Sequence, residues 1–175
     1  MSDIRGFRAV LRHALFAAGA LALFVGTAAA QPLALDKAAI LAAHNKVRAG
    51  LGLPPLSWSD KLAQGALNWA KVIAGLNVMR HSGTGGVGEN LAIWSGAGAS
   101  LNGLIDMWIR ERAYYHPGTF PAVSSTGDWE SVAHYTQMVW RNTTEVGCGI
   151  ANNGVTDYLV CWYNPQGNYI GQVPY

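Results

Sequence analysis

Residues 145–163 read EVGCGIANNGVTDYLVCWY. Two stretches rich in β-formers, 145–151 and 156–163, flank Asn152-Asn153-Gly154. Asn and Gly tolerate the positive φ of a tight turn, so the pattern predicts an antiparallel hairpin. Cys148 and Cys161 then fall on partner strands, at a separation that allows a cross-strand bridge. The loop it closes is short, which on the chain-entropy estimate stabilises the fold by about 3 kcal/mol.

Upstream of the hairpin the period changes from two to 3.6. Asp36 is placed to cap a helix running to about Ala49, with Ile40, Leu41, Ala43, His44 and Val47 at helical spacing and Gly50 and Gly52 ending it. Pro54-Pro55 is a rigid connector. Ser59 caps a second helix over 60–74, with Leu62, Ala66, Trp69, Ala70 and Ile73 on one side and Gly75 as its stop. A third helix is predicted over 100–112, with Leu101, Leu104, Ile105 and Trp108 on one face. Residues 82–99 are a Gly-rich loop with one strand-like piece, 90–94. The loop lacks the GK[ST] ending and the preceding strand of a nucleotide cradle. Residues 117–128 form a long polar loop, 131–140 a short apolar stretch, and 164–175 an irregular tail. Helices flanking a small antiparallel sheet give an α+β layering.

The chain begins with Arg5, Arg8 and Arg12, followed by an apolar run from Ala14 to Val25 and a small-residue close at Thr27 to Ala30. That is the layout of an export signal, with cleavage expected after Ala30. The competing reading, a retained membrane anchor, is disfavoured by the Ala/Gly-rich second half. Residues 31–175 form one domain with nine basic and nine acidic residues. A near-neutral domain without Lys/Arg runs offers no electrostatic footprint for nucleic acid or an anionic membrane. In an exported chain two cysteines read first as a disulfide, and a zinc site would need more thiolates or closely spaced histidines.

Four residues carry candidate chemistry. Glu89 sits in an apolar, Gly-rich run, where a buried charge needs a partner. His134 opens HYTQMVW, in which the His and Gln are expected to face a cleft. His81 and Glu111 are bland singly; Glu111 fits an ordinary helix surface beside Arg110 and Arg112. Together, two neutral imidazoles can bind a divalent metal while carboxylates take the other ring N–H and fix the tautomer. Two imidazoles fall short of the three protein ligands of a catalytic zinc site, so the expectation is a weak, exchangeable ion such as Zn2+, Mg2+ or Ca2+. No nucleophile with a triad signature stands out; Ser82 is only a sequence neighbour of His81. His44 is read as structural or surface, and His116 as unrelated to the site.

HYTQMVWRNT (134–143) and YLVCWYNPQGNY (158–169) resemble the two signature segments of the CAP superfamily of cysteine-rich secretory, antigen 5 and pathogenesis-related 1 proteins. HNKVRAGLGLPPLSW (44–58), GENLA (88–92) and the Trp108-x-x-Glu111 spacing match in the same order. The resemblance runs from about residue 38 to the end and is nearest to the plant pathogenesis-related 1 branch. It implies a three-layer α-β-α sandwich around a small three-stranded antiparallel sheet. It also implies a cleft tetrad of His81, Glu89, Glu111 and His134, with the two histidines able to hold a divalent cation, and a Cys148–Cys161 bridge. The tail, with Pro165, Gly167, Asn168, Pro174 and Tyr175, fits the spacing of a peptide thought to be released in the plant branch; the plainer expectation is that it packs on the sheet. The chain departs from the pattern at Ala133, before the histidine, at Trp162, where a small polar residue is usual, and in lacking the other family disulfides.

Three functions are carried forward. The first is an exported, monomeric, non-enzymatic module binding a small apolar ligand, a sterol or fatty acid. The second is a cell-envelope or host-interaction protein with a structural tetrad. The third is a metal-assisted, protease-like hydrolase using His81, His134, Glu89 and Glu111.

Overall fold

A computed structural model describes residues 32–96, 98 and 100–175. The expected export signal, 1–30, lies outside the described residues. Among the described residues no helix is long and apolar enough to cross a membrane.

The elements run in the order α1 (Lys37–Ala49), β1 (Ser57–Trp58), α2 (Asp60–Leu76), β2 (Gly88–Ser95) and α3 (Leu101–Arg110). Two 3-10 turns (Glu111–Tyr114 and Trp129–Val132), α4 (Ala133–Met138), β3 (Glu145–Asn152) and β4 (Thr156–Asn164) complete the chain. The strands form one sheet in the order β1-β3-β4-β2. The predicted hairpin is β3–β4, with Cys148 directly opposite Cys161 and the two joined by a disulfide across a Cα–Cα distance of 4.1 Å.

The sheet separates two apolar layers. On one face Ile40, Leu104, Ile105, Trp108 and Met138 from α1, α3 and α4, with Val139 just after α4, pack against Val146, Leu159, Tyr163 and the disulfide. On the other, Ala66, Ala70 and Ile73 of α2 meet Leu91, Tyr158 and Val160. Odd and even residues of β4 thus serve opposite layers, as a period of two requires. The α2 layer is close because β3 offers glycines to it. A Cβ on Gly147 would stand 2.3 Å from the Ala63 nitrogen, and one on Gly149 2.2 Å from the Leu67 Cα.

The α-β-α sandwich is as expected, but its sheet has four strands rather than three. The extra strand, β1, pairs parallel with β3 over two residues, through Ser57 N–H to the Thr144 carbonyl and Ser59 N–H to the Val146 carbonyl. Asp36 caps α1, its carboxylate accepting from Ala39 N–H. α2 runs through Gly75 and stops at Asn77, whose φ of 52° supplies the left-handed cap. Ser59 caps α2 by position and through its carbonyl, which accepts from Ala63 N–H, and not through its hydroxyl. α3 ends at Arg110, and residues 111–114 tighten into a 3-10 turn. The loop over 117–128 is less polar than its composition suggests. Phe120 and Val123 are buried with Val132 and Trp140 in a third cluster.

Candidate functional site

β2 leaves the Gly-rich loop with Glu89 on the α2 face and Asn90 on the opposite one. Glu89 stands across the ladder from Trp162 of β4. Its Oε1 accepts from His81 Nδ1 at 2.6 Å and from Ser82 N–H at 2.9 Å, and its Oε2 accepts from the Trp162 indole at 2.8 Å. The second arm is built at the α3–α4 corner. Glu111, in the first residue of its 3-10 turn, accepts from His134 Nδ1 at 2.6 Å and from Tyr135 N–H at 3.0 Å. The His134 ring stacks on Trp108, with centroids 5.9 Å apart and planes 19° off parallel.

His81, Glu89 and His134 line one cleft of about 270 Å³, together with Asn90, Trp129 and Gln137. Glu111 does not line it; the carboxylate sits behind His134 as its anchor. Of the four expected site residues, three therefore share the cleft wall and the fourth holds one of them. The arms differ in exposure: the His81 side chain is 65 % exposed and its Glu89 7 %, against 26 % for His134 and 18 % for Glu111.

Burial alone would push Glu89 upward in pKa, but donation from His81, Ser82 and Trp162 outweighs it and holds the carboxyl below its ordinary value. The hydrogen bond to Glu89 is the largest effect on His81 and raises its pKa, against a smaller desolvation effect. In each arm the carboxylate takes the Nδ1 proton, so a neutral ring keeps Nε2 as a bare lone pair. That is the arrangement in which a carboxylate orients a metal-ligating histidine.

Of the cleft residues, Asn90 and Trp129 were not singled out in the sequence, whereas Gln137 was expected there with His134. Asn90 is buried and its amide donates to the His134 carbonyl and the Tyr163 hydroxyl. Gln137 accepts from Gly167 N–H and donates to Thr143. Gly88 leaves it room, since a Cβ there would lie 2.0 Å from the Gln137 carbonyl oxygen. The polar His134–Gln137 pairing within HYTQMVW was the signal that did point here. The Ser82 hydroxyl accepts from Thr84 N–H and lies near enough to Glu89 to help hold that carboxyl below its ordinary value. His116 is exposed and bonds the Pro117 carbonyl, outside the cleft. His44 is fully buried and structural.

A larger cavity, about 580 Å³, lies between α1 and α3. Ala39, Ala43, Val47 and Ile109 give it an apolar floor, and Lys46 and Arg112 stand among its polar lining. None of its lining residues belongs to the tetrad, although Arg112 follows Glu111 in the chain.

An α-β-α sandwich in which two histidine–glutamate pairs converge from separate elements on one cleft defines a class of small cleft-bearing domains. The chain belongs to the cysteine-rich secretory protein (CAP) family, whose profile matches residues 41–163. It is similar to the PR-1 type pathogenesis-related protein of Sambucus nigra, 38 % identical over 135 residues, which are 76 % of this chain and 78 % of that one. Pathogenesis-related protein 1A of Nicotiana tabacum is 41 % identical over 138 residues, 77 % and 78 % of the two chains. Among solved structures, the crystal structure of NaASP2 with Zn2+ superposes with a TM-score of 0.66 at 26 % identity, covering 77 % of this chain and 82 % of that one.

Proposed function

We propose that this is an exported, non-enzymatic binding module for a small apolar ligand, with a weak divalent-cation site in its histidine cleft. The observation that carries the ligand reading is the α1–α3 groove. Its volume lies within the range of small-molecule sites. Three alanines, Val47 and Ile109 offer apolar wall, and its charged lining is Lys46, Arg112 and Asp106, none of them in an ion pair among the described residues. Two cationic groups against one carboxylate favour an aliphatic chain ending in a carboxylate over a neutral sterol.

The test is saturable binding of a labelled fatty acid and a labelled sterol to the purified domain. Ala42→Trp fills the groove from an exposed position, and we expect it to abolish binding while leaving the fold intact. Binding no greater than that of an unrelated protein, or unchanged in the variant, removes the reading.

The donor set of the cleft fits a weakly held cation. Two Nε2 lone pairs are available, and among the described residues no group of three His, Cys, Asp or Glu side chains is placed to hold an ion. His81 and His134 would be its protein ligands, with water completing the shell, and a bound ion would polarise that water. The Zn2+ of the NaASP2 structure is consistent with this reading. Zn2+ titration of wild type and His134→Ala checks it: equal affinity in both sinks the cation site.

A second reading, a surface-acting interaction protein with a purely structural tetrad, is favoured by one feature. Each glutamate also clamps a backbone N–H, that of Ser82 or Tyr135. In that case His81→Ala lowers the melting temperature and leaves partner binding intact.

A further inference from the structure

We propose that Trp162 is a positioning residue for the cleft: its indole N–H fixes Glu89, and Glu89 thereby decides which nitrogen of His81 faces outward. The inference rests on reading the cleft as a cation site, and its test separates the two.

The two arms are secured unequally. His134 has a stacked aromatic neighbour and a mostly buried ring. His81 is largely exposed, and its hydrogen bond to Glu89 is the contact that orients it. The stiffness of that arm is therefore the stiffness of Glu89. The buried carboxylate has two oxygens, and the described donors divide between them: Oε1 serves His81 and Ser82, while Oε2 has the Trp162 indole. Without the indole, Oε2 is a buried acceptor with no described partner, and the carboxylate gains freedom to rotate toward other donors.

Tautomer chemistry makes this matter. A free neutral histidine prefers its proton on Nε2, the nitrogen a cation in the cleft would need. Holding the proton on Nδ1, against Glu89, leaves Nε2 bare. Trp162 thus acts on the cation through Glu89 and His81, without touching it.

The indole is seated by a second sequence choice. Its six-membered ring lies over Gly65 of α2, where a Cβ would come within 2.1 Å of the ring. Trp162 and Gly65 read as one device: helix α2 gives up a side chain so that a bulky donor can reach Glu89 across the sheet.

The experiment uses the metal-free domain, 15N-labelled, at mildly alkaline pH. Long-range imidazole spectra report the tautomers of His81 and His134. In wild type we expect the Nδ1–H form at both. In Trp162→Phe, which keeps a ring over Gly65 but loses the N–H, we expect mixed tautomers at His81 alone. Zn2+ affinity, measured by calorimetry with ZnCl2, should fall about tenfold, the lower end for losing a partner behind a metal ligand. A Trp162→Phe protein whose His81 stays wholly in the Nδ1–H form overturns the proposal. If wild type takes up no Zn2+ but its His81 tautomer responds to the substitution, the positioning role stands and the cation reading falls. Should the Phe variant fail to fold, replacing Trp162 by benzothienylalanine, which swaps N–H for sulfur in the same ring shape, carries the same test.

Discussion

Fully buried His44 donates through Nδ1 to the Ile40 carbonyl and accepts through Nε2 from the Tyr163 hydroxyl, both at 2.8 Å. Burial pushes its pKa from 6.5 down to about 4, with the nearby Arg48 charge acting in the same direction and the Ile40 bond opposing. In the unfolded chain the residue titrates near its ordinary value, so between pH 6.5 and 4 the unfolded state binds the extra proton. The stabilising contribution is therefore present above pH 6.5 and is lost as pH falls toward 4, by about 3 kcal/mol in all. We expect His44→Gln to be less stable than wild type at pH 7 and to show a smaller loss between pH 6.5 and 4; urea titrations at four pH values compare the two. His81 has the opposite sign. Its raised pKa gives stability at low pH that fades as pH rises through the raised value. Arg48 makes a different kind of contribution. Its buried guanidinium donates to the carbonyls of Pro54, Met138, Trp140 and Thr143, tying α1 to the turns after Leu53 and after α4. Arg48→Met strands those four acceptors and should lower the unfolding free energy by roughly 3 kcal/mol or more, read from the same denaturant curves.

At the scale of elements, the β3–α2 contact is set by absent side chains. Gly147→Ala or Gly149→Ala drives a methyl into the α2 backbone, which can retreat only by separating from the sheet along its length. Each substitution should cost about 3 kcal/mol, and differential scanning calorimetry measures it; a change below 1 kcal/mol would mean that α2 floats on the sheet. The hairpin and the helical stripes were legible because their periods extend over several residues. β1 was not, since two residues carry no period and its pairing depends on Thr144 and Val146, far along the chain. The early end of α3 was equally hidden, because α and 3-10 turns accept the same residues. At the site, His134 and Gln137 could be read from a polar pair in an apolar string. The motif spacing named Glu111, but its place behind His134 comes from the turn at Arg110. Asn90 and Trp162 take their roles from cross-strand neighbours, information that no local window holds.

For the whole molecule, the question is what the last eleven residues do. They match the spacing of a released peptide, yet they are fastened to the domain over α4 and the Phe120 loop rather than lying on the sheet. Phe120 N–H donates to the Gln172 carbonyl, Gly171 N–H to the Phe120 carbonyl, and Arg141 N–H to the Pro174 carbonyl. Gly167 presses on Trp140, which a Cβ would meet at 2.8 Å. Tyr175 stacks on Tyr115 at 5.2 Å, and its hydroxyl reaches that of Tyr135 at 3.2 Å. The C-terminal residue therefore closes an aromatic cluster that also touches α4 and the 3-10 turn bearing Glu111. Deleting residues 174 and 175 removes two hydrogen bonds, from Arg141 N–H to the Pro174 carbonyl and between the Tyr135 and Tyr175 hydroxyls, together with one aromatic stack, and uncovers Tyr115 and Tyr135, a loss of about 2–3 kcal/mol. In a domain of this size that lowers Tm by roughly 5–10 °C. If the tail is a peptide awaiting release, native protein should give it up to a protease while the remaining domain stays folded. If it is part of the fold, cleavage should require local opening, and Tyr175→Ala should accelerate it by the factor that its loss of stability predicts. The hydrogen bonds at Phe120 and Arg141 favour the second outcome, and limited proteolysis followed by mass spectrometry decides between them.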